Sequence, residues 1–132
     1  MTRYVIGPDT ALRLAGQRAT VAKAHRLLAP TLLRSQVLAQ LYAEVQAQRL
    51  GRADARGQLD YLRRLQIRLL GDRALQAAAW TLAEELGWTD TFVAEYVALT
   101  RLQADALVVQ DEALRAAASR VIAVARYEDL LA

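Results

Sequence analysis

Ala106-Leu107-Val108-Val109 is four apolar residues in succession with no polar alternation, and helical patterns lie on both sides of it. A strand covered on one face alternates apolar and polar side chains, whereas a strand covered on both faces reads as an unbroken apolar run. The segment therefore predicts a parallel strand with helices above and below its sheet. A parallel sheet needs crossover connections elsewhere in the chain.

The remaining sequence supplies them. Arg3 to Ile6, with Tyr4-Val5-Ile6 at its centre, reads as a strand stopped by Gly7-Pro8. A short helix over Thr10 to Leu14 is expected next, before Gly16 and a polar stretch to Lys23. Leu27 to Ala29, closed by Pro30, is a second buried strand. Leu33, Val37, Leu41 and Val45 recur every four residues, with Leu38 and Tyr42 widening the stripe, which predicts an amphipathic helix ending near Gly51. Ala53 to Leu65 continues as helix despite Gly57, a residue about 1 kcal/mol less favourable there than alanine.

Ile67, Leu69 and Leu70 form a third strand before Gly71. Leu75, Ala78, Ala79, Leu82 and Leu86 keep helical spacing up to Gly87, a suitable stop. Phe92, Tyr96 and Leu99 share a face of the next helix, with Asp90 or Thr89 as its cap. A helix from Glu112 to Arg120 and a last strand at Val121 to Val124 follow the 106–109 run. The expectation is an α/β fold: a three-layer α/β/α sandwich around a parallel sheet of four to five strands, with ligands at the carboxyl ends of the strands.

At 132 residues the chain is the size of one domain, taken here as 1–132. There is no cysteine and a single histidine, His25, which excludes disulfides, thiolate sites and histidine-rich zinc sites. His25 has neither a nucleophile nor a carboxylate at a suggestive spacing, so a surface or strand-edge role is expected of it. No apolar run approaches the roughly 20 residues of a membrane helix, and Arg3 leads into a strand in place of a signal core. The expected location is cytoplasmic, without membrane contact.

The net charge of +3 comes from 17 basic and 14 acidic residues. Arg52, Arg56, Arg63, Arg64, Arg68 and Arg73 concentrate positive charge, but Asp54, Asp60 and Asp72 interrupt it. Mixed signs favour a solvated helix face with local ion pairs over a track that steers RNA. Trp80 and Trp88 are expected in core and helix-end packing, not as base-stacking platforms.

The segment Thr91-Phe92-Val93-Ala94-Glu95-Tyr96-Val97-Ala98-Leu99-Thr100, with Leu102-Gln103-Ala104-Asp105-Ala106-Leu107-Val108-Val109-Gln110-Asp111 after it, resembles the C-terminal half of the VapC-type toxins, PIN-domain ribonucleases of toxin-antitoxin pairs. Tyr4-Val5-Ile6 resembles the family's first strand, and Arg34-Ser35-Gln36-Val37-Leu38 its helix start. Element order, spacing and length agree along nearly the whole chain. The resemblance implies a PIN-like fold, magnesium-dependent RNA cleavage, a homodimer and an antitoxin partner. Such chemistry needs carboxylates converging on one ion, which lowers the pKa of a bound water and neutralises the attacked phosphate.

This sequence departs from that pattern at most of the matching positions. Gly7 stands where the family has aspartate, Gln36 where it has glutamate and Val93 where it has aspartate. Asp111 is retained, although Val109 replaces the hydroxyl residue expected two positions earlier. Asp9 and Asp90 are the candidates to compensate, so Asp9, Asp90 and Asp111 form the candidate catalytic and metal-binding set. The bland reading of Asp90 is a helix cap. The leading expectation is a noncatalytic PIN-like protein acting by protein or RNA binding, with no cofactor. The alternative is a ribonuclease toxin with a rearranged acidic site holding Mg²⁺ or Mn²⁺.

Overall fold

The computed structural model describes residues 1–131. Its strands are β1 (Thr2–Ile6), β2 (His25–Pro30), β3 (Ile67–Leu70) and β4 (Ala106–Val108), and its helices α1 (Pro8–Gln17), α2 (Leu32–Gln46), α3 (Arg52–Arg64), α4 (Arg73–Leu86), α5 (Phe92–Gln103) and α6 (Glu112–Ala118). A 3₁₀ turn, Tyr127–Leu130, follows. The strands form one all-parallel sheet in the order β3-β2-β1-β4. Helices flank it, giving a three-layer α/β/α sandwich.

Burial follows from that order. In β1 the consecutive residues Tyr4, Val5 and Ile6 are all buried, as are Ala106, Leu107 and Val108 of β4, because helices cover both sides. The edge strand β3 is less covered. The direction in which strands are added reverses at β1: successive crossovers build the sheet one way through β2 and β3, and the return to β4, still parallel, lands on the other side of β1. A crevice opens at the carboxyl ends of strands at such a switch point. Gly7 to Asp9 and Val109 to Asp111 meet there.

Local chemistry explains most element boundaries. Pro8 occupies the first turn of α1, where its missing N–H costs nothing. The Asp72 carboxylate accepts the Leu75 N–H at 2.9 Å to start α4, and Gly87 ends it at φ 68°, a conformation cheap only for glycine.

Several expectations are corrected. The first helix is not confined to Thr10 to Leu14 but runs from Pro8 through Gly16 to Gln17. The α2 helix ends at Gln46, short of Gly51, and the helix after β4 stops at Ala118, not Arg120. Val121 to Val124 is not a strand. The N–H groups of Val121 and Ile122 turn back to Ala118 O, leaving only an isolated parallel bridge between Leu107 and Val124. Trp80 is 65% exposed on α4, not core, whereas Trp88 is half-buried against the core. Leu38 and Tyr42 also lie in solvent, so the buried stripe of α2 is only Leu33, Val37 and Leu41.

Candidate functional site

At the switch point lies a cavity of about 240 Å³. Gly7, Pro8 and Asp9 border it from the end of β1, Gln36 and Gln40 from α2, Phe92, Val93 and Tyr96 from α5, and Val109 from the end of β4. The three sequence-distant positions 7, 36 and 93 thus line one cavity. Its chemistry is another matter.

A side chain at Gly7 would force its neighbours to shift. A Cβ at this position would stand 2.8 Å from Val109 Cγ1 and 3.0 Å from Asp9 Oδ1, so Val109 occupies the volume an aspartate would need. Gln36 is engaged: its Oε1 accepts the Tyr96 hydroxyl at 2.6 Å. Burial, and after it the nearby carboxylates of Glu95 and Asp9, push the Tyr96 phenol well above its usual pKa. It therefore stays a neutral donor that holds the amide. Val93 is half-buried and contributes only methyl groups.

The three remaining acids all serve the backbone. Asp9 Oδ1 accepts the Thr10 N–H at 2.7 Å, while Oδ2 accepts those of Gln110 at 2.8 Å and Asp111 at 3.3 Å. This ties the start of α1 to the loop leaving β4. Asp111 caps α6, its Oδ2 accepting the Leu114 N–H at 2.8 Å. Asp90 Oδ1 accepts the Phe92 N–H at 2.9 Å at the start of α5. Asp9 and Asp111 are therefore neighbours. Asp90 is not with them: it borders an adjoining hollow with Trp88, on whose wall Val93 and Leu114 recur.

A magnesium ion takes near-octahedral oxygen ligation at about 2.1 Å. The donors available are Asp9, which already accepts three backbone N–H groups, Asp90 and Asp111, each engaged by one, and a neutral amide oxygen held by a phenol. Among the described residues no three acidic or histidine side chains converge in a metal-holding group. These residues do not fit the ion.

Sequence reasoning missed Thr10, Gln110 and Tyr96. Thr10 is fully buried and donates through Oγ1 to Val108 O at 2.8 Å, and Gln110 Nε2 donates to that hydroxyl at 3.1 Å. Phe92, expected to share a helix face with Tyr96 and Leu99, is 52% exposed beside the cavity. His25 opens β2 and packs edge-on to Tyr4 with centroids 5.1 Å apart. The arginines of 52–73 are all exposed, and Arg63 pairs with Asp60 at 2.9 Å, as a solvated mixed face does.

No protein-family model and no curated protein matches the chain. Among solved structures it is similar to the crystal structure of PAE2754 from Pyrobaculum aerophilum, with a TM-score of 0.73 at 21% identity, covering 98% of this chain and 94% of that one. At that identity the likeness establishes a common α/β fold over essentially the full length. No helix among the described residues is long and apolar enough to cross a membrane.

Proposed function

We propose that this chain is a noncatalytic relative of the VapC-type PIN ribonucleases and that it works by binding a protein partner. The observation that carries this reading is the Gly7–Val109 contact: the space for the first metal-binding carboxylate of the resembling family is taken by a valine methyl. The Gln36–Tyr96 bond and the backbone N–H bonds accepted by Asp9, Asp90 and Asp111 support it. A protein partner is favoured by the groove of about 550 Å³ between α2 and α3. There Leu38 and Tyr42 are 56% and 65% exposed beside Leu41 and Val45. Exposed apolar groups clustered along a helix pair suit an amphipathic helix laid into the groove, the mode in which an antitoxin-like peptide would dock.

The nuclease reading draws on one observation, the adjacency of Asp9 and Asp111. Incubating the purified chain with RNA in Mg²⁺ or Mn²⁺ separates the two. The expected result is no cleavage above that of an Asp9→Asn/Asp111→Asn double variant. Metal-dependent cleavage that the double variant loses would establish the nuclease instead.

A further inference from the structure

Val109 also borders a second, polar hollow of about 170 Å³, whose wall carries Arg13 from α1, Arg115 from α6 and Arg126 ahead of the 3₁₀ turn. None of the three is ion-paired among the described residues, although Glu112 and Glu128 border the same hollow. Arg13 is held rigidly: its guanidinium carbon lies 3.9 Å from the Tyr127 ring centroid, and Nη1 donates to Gln110 Oε1 at 2.6 Å. Both supports are themselves anchored. Tyr127 is buried and its hydroxyl donates to Gln17 Oε1 at 2.8 Å, while the Gln110 backbone N–H is bound by Asp9.

Arg115 supplies the anomaly. Its Nε is shut off from solvent and has no hydrogen-bond acceptor. Native structures rarely leave a buried donor in this state, because the desolvation cost goes uncompensated. Here it belongs to a cation that shares a hollow with two others.

We propose that this hollow binds a phosphate group. A carboxylate offers two oxygens and suits one guanidinium fork, whereas a phosphate offers enough acceptors for three. Arg13 is the preorganised fork, and Arg115 and Arg126 take the remaining oxygens. The Tyr127 ring is buried and already stacked by Arg13, so recognition is of the phosphate and not of a base. Glu112 and Glu128 offset two of the three positive charges, which suits a single placed phosphate better than a long polyanion track. The group could come from a small phosphate or from an RNA backbone.

Titration calorimetry of the full chain with inorganic phosphate, pyrophosphate and a short single-stranded RNA tests this. Arg115→Gln, Arg126→Gln and, as a control away from the hollow, Arg64→Gln are compared with the unmodified chain after melting curves confirm folding. Binding of phosphate or pyrophosphate that either hollow variant weakens about tenfold or more, a typical effect of losing a hydrogen bond to a charged group, with Arg64→Gln unchanged, is the expected result. Binding of RNA alone with the same pattern assigns the phosphate to a polynucleotide. No binding of any probe overturns the proposal, as does binding that the hollow variants leave unchanged or that Arg64→Gln weakens equally.

Discussion

Any side chain at position 7 must displace its neighbour. With Val109 Cγ1 at 2.8 Å from a would-be Cβ, Gly7→Asp overpacks the end of β1 and should cost about 1 to 3 kcal/mol. Truncating the obstacle should recover part of that, so Gly7→Asp and Val109→Ala are expected to be coupled. Urea unfolding of the two single variants and the double variant measures the coupling, and strictly additive costs would show that the two residues do not compete for the same space. Glu95 offers a second test at this scale. Burial raises its carboxyl above the ordinary range, so the folded chain holds the proton more tightly than the unfolded chain and ionisation opposes folding. The penalty is absent below the ordinary glutamate pKa of about 4.3 and grows as the pH rises through the raised value. Glu95→Gln should therefore raise the melting temperature modestly at neutral pH and leave it unchanged in acid; an equal gain at both would contradict the assignment.

Among elements, α6 gives the clearest contrast between a ligand and a cap. If Asp111 serves α6 through its bond to the Leu114 N–H, Asp111→Ala should cost about 0.5 to 2 kcal/mol and Asp111→Asn much less, since asparagine caps as well. Chemical denaturation with and without EDTA checks this, and equal losses in both variants would point away from capping. The same elements mark what the sequence made readable. The unbroken apolar run at 106–109 announced a strand covered on both faces, and β4 is such a strand, one residue shorter. Val121-Ile122-Ala123-Val124 carries equal strand propensity, yet its backbone turns back to Ala118 and meets Leu107 only at one bridge, a tertiary outcome that propensity cannot register. Gly7, Gln36 and Val93 were singled out in the sequence only because a resemblance pointed to those positions. The bonds from Tyr96 to Gln36 and from Gln110 to Asp9 join residues 60 and 101 positions apart and leave no local signature.

For the whole molecule, the two readings of the carboxyl-edge cavity differ in how stability depends on metal. Any ligand that binds only the folded state stabilises it by RT ln(1 + [L]/Kd), about 2.7 kcal/mol at a hundredfold excess over Kd. For a domain of this size each kcal/mol shifts the melting temperature by roughly 3 to 6 °C, so a working divalent site would raise it by about 10 °C at saturating Mn²⁺. The cavity instead presents Val109, Val93 and a Tyr96–Gln36 pair, with Asp9 on its rim and Asp111 beyond it both bound to backbone amides. Melting in Mn²⁺, in Mg²⁺ and in EDTA, at matched ionic strength, should therefore agree to within about 1 °C. A saturable rise seen with Mn²⁺ and removed by Asp9→Asn would mean that the amide bonds to Asp9 yield to a metal. In that case the backbone bonds to Asp9 and Asp111, and not the absence of carboxylates at positions 7, 36 and 93, would decide whether the site can be filled.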